Sequence, residues 1–295
     1  QNMSNNAAIA TDGGEIGRAQ HLQAMAARVP ASIHMNPVLL KPQSETGAQI
    51  IVRGKVRGAA DARAYQALKA GLMDEVLESF AITAKGSDLV LVEGAGSPAE
   101  INLPGRDIAN MGFAIAAEIP VVLVADIDRG GVIASLVGTH AVLNEAERAR
   151  IIGYVINKFR GDPSLFDDGI KIIDEQTSLS CFGGVPYLPI VAQLPAEDSM
   201  ALEQTRPDGI DGTVKITVPR LAHISNFDDF DPLIAEPSVQ LDFIPPGQAL
   251  PGDADLVILP GSKATIADLT DFQVHGWDLD LKTHIRRGGS VLGIC

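Results

Sequence analysis

The chain is short of aromatic residues, cysteine and positive charge. Its 295 residues include one Trp, three Tyr and nine Phe, so a core must be built from aliphatic side chains. Two cysteines, Cys181 and Cys295, stand too far apart for a disulfide framework or a zinc pattern, and a reducing cytoplasmic location is expected. Lys and Arg number 23 against 37 Asp and Glu, a net charge of −14 that argues against a nucleic-acid partner. A local phosphate site is compatible with that balance, because helix N-termini and metal ions can override global charge. No stretch of about 18 apolar residues free of charge occurs, so no membrane helix is expected. An initiator Met and a signal-peptide pattern are both lacking. The last residues, Ser290-Val291-Leu292-Gly293-Ile294-Cys295, read as a core strand running to the end, and the chain is expected to be a fragment.

What is present is an α/β pattern. Apolar, β-branched runs at 88–92, 120–125 and 151–156 read as buried parallel strands, with shorter candidates at 34–39, 49–52 and 189–192. Helical periodicity falls between them at 60–84, 108–118, 131–143 and 165–177. Strands alternating with helices predict βαβ units joined by right-handed crossovers. A Pro/Gly-rich acidic stretch at 195–212 reads as a linker. It separates a first domain, 1–194, from the beginning of a second α/β domain, 213–295. The second should hold strands at 214–218, 239–244, 255–259 and 290–294, and a helix at 277–287 closed by Gly288-Gly289.

Four segments carry candidate chemistry. Strand 88–92 would end on Glu93, in a loop of Gly, Ser and Pro, where parallel sheets bind ligands. The run Thr11-Asp12-Gly13-Gly14-Glu15 offers two carboxylates three residues apart. A capping box accounts for them as N-cap and N3 residues; the functional alternative has Asp12 or Glu15 joining Glu93 around a hard cation. Asp126-Ile127-Asp128-Arg129-Gly130-Gly131 follows another strand, with Arg129 suited to a phosphate or carboxylate. Asn157-Lys158-Phe159-Arg160-Gly161-Asp162 follows the next, and the Asn157 amide offers a donor and an acceptor to a purine edge.

In the second domain, Pro260-Gly261-Ser262-Lys263 follows one strand and Cys295 ends another. That places Cys295 at a nucleophile elbow, with Gly261 and Ser262 as oxyanion donors; a buried small hydrophobe is the alternative for this cysteine. The segment 219–233 contains His223, Ser225, Asn226, Asp228 and Asp229. It reads as a structural or interface loop facing a partner domain or a polar substrate, and His223 is not read as a general base.

Taken in order, residues 1–6, 11–20, Lys41-Pro42-Gln43-Ser44-Glu45, 92–103, 126–132, 157–162, 220–231 and 260–265 resemble the cobyric acid synthase family over nearly the whole chain. These are glutamine-dependent amidases of cobalamin biosynthesis. The resemblance implies a P-loop-type, dethiobiotin synthetase-like domain followed by a class I glutamine amidotransferase-like domain. It implies amidation of the b, d, e and g carboxylates of adenosylcobyrinic acid a,c-diamide, using ATP, Mg²⁺ and L-glutamine, to give adenosylcobyric acid. On it, Glu93 and Asp12 serve the metal, Glu93 also the activated carboxylate, Asn157 and Lys158 the nucleotide, and Cys295 attacks glutamine. Two departures accompany the match. No Gly-x-x-x-x-Gly-Lys-Ser/Thr phosphate loop occurs, and the family's glutaminase His and Glu would lie beyond Cys295. The chain by itself is therefore expected to be inactive. Cobyrinic acid a,c-diamide synthase and a P-loop-type regulatory ATPase are the alternatives, the first disfavoured by the Thr11–Gln20 motif and the second by Cys295.

Overall fold

The computed structural model describes residues 1–42, 47–69, 71–102, 107–195 and 214–294. Contacts divide the chain into two compact units: Gln1–Asn2 with Arg63–Leu194, and Met3–Ala62 with Pro195–Cys295. The division differs from the sequence segmentation at 194/195, because the first sixty residues group with the C-terminal segment. Of the expected linker, all but Pro195 lies outside the described residues.

The first unit is organised on three parallel strands in the order Val121–Asp126, Ile151–Phe159, Cys181–Pro186. Side chains alternate along the first strand: Leu123 and Ala125 are buried, while Val122 and Val124 face outward. Helices Val132–Val142 and Asp167–Thr177 supply Leu136 and Ile173 to the inner face, where they meet Tyr154 and Ile156. Each large aliphatic side chain removed from water there contributes roughly 1.5–3 kcal/mol. The buried Tyr154 ring keeps its hydroxyl satisfied by donating to Asp174 Oδ1 at 2.8 Å.

Several sequence expectations for this unit are corrected. Residues 88–92 form no strand: the segment is unpaired, with Leu89 74% and Leu91 87% exposed. An apolar run becomes a strand only beside a partner that takes its backbone hydrogen bonds, and no described strand does so. The segment 189–192 is a 3₁₀ turn, Pro189–Gln193, started by its proline. The third strand is instead Cys-Phe-Gly-Gly-Val-Pro, whose glycines disguise it. The long helix expected at 60–84 is divided into Ala62–Lys69 and Met73–Ala84. That at 108–118 shrinks to Met111–Ala116, with Asp107 accepting from the main-chain N–H groups of Ala109, Asn110 and Gly112.

The second unit contains a four-stranded parallel sheet in the order Val239–Ile244, Val214–Pro219, Leu256–Leu259, Ser290–Gly293. All four strands and the helix Trp277–Arg286 follow the sequence reading. Helix Thr265–Val274 was not anticipated. Phe272 and Trp277 pack edge to face at 5.7 Å, and the Trp277 indole N–H donates to the Gln248 carbonyl.

The same unit holds an antiparallel meander, Val38–Pro42, Gly47–Val52, Lys55–Asp61, where a parallel arrangement was expected. The cause is a two-residue turn at Arg53-Gly54, both at positive φ (46° and 73°). A tight turn of that hand forces antiparallel pairing. The expected strand at 34–39 is accordingly split, with a 3₁₀ turn at Ile33–Met35 before the strand begins at Val38.

Candidate functional site

Two of the candidate loops converge. The pairing Asp126↔Asn157 places the Asp126–Gly131 and Asn157–Asp162 loops at the same carboxyl edge of the first unit's sheet. Gly130 and Gly131 both sit in the left-handed region (φ 76° and 72°), and Gly131 is the N-cap of helix Val132–Val142. Asp126 is not a helix cap; it accepts the Asp128 N–H in a local turn.

Lys158 departs from strand geometry at φ 60°, where the register to the third strand shifts between Ile156 and Phe159. A left-handed residue with a β-carbon costs on the order of 1–2 kcal/mol. The bulge re-aims the side chain, and Lys158 Nζ donates to Asp126 Oδ2 at 2.8 Å. Asn157 Oδ1 accepts the Lys158 N–H at 2.9 Å. One lone pair of the Asn157 amide oxygen is thus used within the loop.

Arg160 reaches back to Asp128 with two donors, Nε–Oδ1 at 2.5 Å and Nη2–Oδ2 at 3.2 Å. Its guanidinium also lies 3.4 Å from the centre of the Tyr187 ring. Neither Asp128 nor Arg160 was assigned a role from sequence, although both lie in motifs singled out there. Each carboxylate is held below its ordinary range, Asp126 first by the Lys158 hydrogen bond and Asp128 first by that of Arg160. Arg129 is 86% exposed and 3.8 Å from Asp126, so its fork remains open to an anion. Ile127, Asp128, Lys158, Phe159, Arg160, Asp162, Leu165 and Phe166 line a cleft of about 280 Å³ here.

Glu93 is exposed, and the strand expected to present it is not formed. Asp12 is no helix N-cap: helix Arg18–Ala27 begins after Gly17 without a side-chain cap. The Asp12 carboxylate instead accepts from Ser32 Oγ at 2.8 Å and from the Ile33 N–H at 3.0 Å. Glu15 lies in a strand, Glu15–Gly17, paired with Ala7–Ile9, and contacts Lys41. The capping box therefore gives way to a hairpin. Among the described residues, no three His, Cys, Asp or Glu side chains are grouped to hold a metal ion. Mg²⁺ bound chiefly through phosphate oxygens asks only one or two carboxylates of a protein.

Gly261 and Ser262 lie at the carboxyl end of strand Leu256–Leu259 and pair antiparallel with Ile224–Ser225. The Ser262 hydroxyl is employed structurally, donating to Asp268 Oδ2 at 2.5 Å. Asp268 also accepts from His223 Nδ1 at 2.7 Å. Strand Ser290–Gly293 runs beside Leu256–Leu259, and the Ile294 N–H donates to the Leu259 carbonyl at 3.1 Å. Cys295 lies outside the described residues. Asp228 is buried and pairs with Arg18 at 2.6 Å, so the 219–233 loop does meet another part of the chain.

Within the described residues, no helix is long and apolar enough to cross a membrane. Residues 9–195 match the AAA domain family, and residues 215–295 match the CobB/CobQ-like glutamine amidotransferase domain family. Among curated proteins, the chain is 66% identical over 295 residues to a cobyric acid synthase of Rhizobium leguminosarum bv. trifolii. It is 64% identical to one of Sinorhizobium sp. and 62% identical to one of Rhizobium meliloti. In each case all of this chain is covered, and it spans 61% of the relative's length. No solved structure matches. The chain thus belongs to the AAA domain family over residues 9–195, carries a CobB/CobQ-like glutamine amidotransferase domain after it, and is more than 60% identical along its whole length to proteins named cobyric acid synthase.

Proposed function

We propose that the chain is part of an enzyme that amidates corrinoid carboxylates at the expense of ATP and glutamine. The substrate is adenosylcobyrinic acid a,c-diamide, amidated at b, d, e and g to give adenosylcobyric acid. The observation that carries the reading is the convergence of the Asp126 and Asn157 loops on one sheet edge, in a chain whose relatives are named cobyric acid synthase. That name also disfavours the a,c-diamide synthase and regulatory ATPase alternatives.

In this reading each carboxylate takes the γ-phosphoryl group of ATP, releasing ADP; ammonia then displaces phosphate from the acyl phosphate. Asn157 and Lys158 hold the nucleotide, the Asn157 amide facing the base. Arg129 and the main-chain N–H groups at the start of helix Val132–Val142 face phosphate or carboxylate oxygens. Glu93 holds Mg²⁺ or orients the activated carboxylate. The hydrogen-bonded Asp12 is the less available of the two proposed metal ligands. Bound Mg²⁺ supplies charge neutralisation at the phosphates. Cys295 attacks the glutamine amide to form a glutamyl thioester and release ammonia, with Gly261 and Ser262 supplying main-chain donors to the oxyanion. The two functional segments are 1–194 and 213–295 in sequence, although Met3–Ala62 packs with the second, and the setting is cytoplasmic.

The test is made in the full-length protein, with the corrinoid a,c-diamide as acceptor. Glutamine-dependent amide formation is expected, and Cys295→Ala should abolish it while sparing amidation from free ammonia. Absence of corrinoid amidation from either nitrogen source would overturn the proposal.

A further inference from the structure

We propose that Asp268 is a positioning residue for glutamine hydrolysis, fixing the Gly261–Ala264 loop at the edge of the second unit's sheet. The inference rests on the glutamine-hydrolysing role proposed above. Asp268 lies one turn inside helix Thr265–Val274 and is only 2% exposed. One oxygen accepts from the His223 ring Nδ1–H at 2.7 Å and from the His223 main-chain N–H at 3.3 Å. The other accepts the Ser262 hydroxyl at 2.5 Å. The Ser262 oxygen in turn accepts the Ala264 N–H at 3.0 Å, and the Lys263 N–H donates to the His223 carbonyl at 2.9 Å.

The carboxylate thus binds together two segments far apart in sequence. A buried carboxylate is expensive to desolvate, and packing alone would be served as well by an apolar side chain. What an Asp adds is two acceptors in fixed directions. They hold the loop that begins just past Leu259, the residue whose carbonyl receives the Ile294 N–H. An oxyanion site needs its main-chain donors held to a fraction of an ångström, because the gain depends on dipoles already aligned before charge develops. Sequence reading missed Asp268 because its partners are supplied by folding, across 45 residues to His223.

The experiment compares Asp268→Asn and Asp268→Ala in the full-length protein. Glutamine-dependent kcat should fall by about 10-fold in the first and about 100-fold in the second, at or below the roughly 100- to 1,000-fold lost when an oxyanion donor is removed outright. KM for glutamine and the ammonia-dependent rate should stay near wild type. The isosteric Asn variant covers the case in which Asp268→Ala fails to fold. Unchanged glutamine-dependent kcat in Asp268→Asn, or equal loss of glutamine- and ammonia-dependent rates, would overturn the inference. Cys295→Ala is run alongside. If that variant keeps glutamine-dependent activity, the glutaminase reading itself fails and this inference with it. If it loses that activity while Asp268→Asn does not, only the role of Asp268 is refuted.

Discussion

Arg18 Nη2 lies 2.6 Å from Asp228 Oδ2, an ion pair between the first helix and a loop in the C-terminal part of the same compact unit. The two side chains are unequally placed. Asp228 is 3% exposed, beside the buried Phe227 and Phe230, whereas Arg18 is 31% exposed. Arg18 also occupies the first turn of its helix, where a cation opposes the helix dipole. Tertiary pairing therefore offsets a local disadvantage.

Removing either partner should not cost the same. Arg18→Ala leaves a carboxylate buried without its cation and should destabilise the fold by about 3 kcal/mol. Asp228→Asn leaves Arg18 able to reach water and keeps the site filled, and should cost about 1–2 kcal/mol. Urea denaturation of the two variants checks the order; equal losses would contradict the asymmetry.

The Lys158–Asp126 and Arg160–Asp128 pairs set an acid limit on the candidate nucleotide site. Both carboxyls are depressed, so their contribution to stability is present above the ordinary carboxylate pKa of about 3.9 and lost as pH falls through the lower folded values. Carbon-detected NMR titration should give Asp126 and Asp128 midpoints below about 3.9. Lys158→Met should move the Asp126 midpoint upward and leave Asp128 nearly in place.

Lys41 adds a slope of the same sign on the alkaline side, but as a penalty relieved rather than a contribution gained. Burial, and then the facing Lys263 amine, hold it down to about 7 even though it contacts Glu15. The unfolded chain, with lysine near 10.4, binds more protons than the folded one between about pH 7 and 10. Stability should therefore rise with pH across that window, the penalty on the charged form being full below 7. Melting temperature against pH should show this slope in the wild type and a flatter one in Lys41→Met.

Tyr154→Phe removes a hydroxyl in the first unit's core that donates chiefly to Asp174 Oδ1 at 2.8 Å and lies 3.5 Å from the Ile170 carbonyl. The ring is fully buried, and its hydroxyl donates to Asp174. Losing it should cost about 1–2 kcal/mol without changing the fold. Equilibrium unfolding monitored by circular dichroism checks both parts.

Composition and periodicity determined the α/β class, four strands of the second sheet and two strands of the first. Those strands are short apolar or alternating runs between turn signals, a pattern that survives without knowledge of neighbours. The Asp126 and Asn157 loops were legible for the same reason, since a loop after a parallel strand must emerge at the ligand edge. Pairing was decided only in three dimensions. Residues 88–92 carry a strand's composition yet pair with no strand among the described residues, because a strand is defined by the partner that takes its backbone bonds. Asp12 and Glu15 carry a capping-box spacing yet build a hairpin, because Gly14 and Lys41 supply other contacts. Asp268, Arg160 and Asp228 acquire their roles from His223, Asp128 and Arg18, each more than thirty residues away. Hydrophobic pattern is local and readable along the chain, whereas the directional bonds that arm a site join residues that only folding brings together.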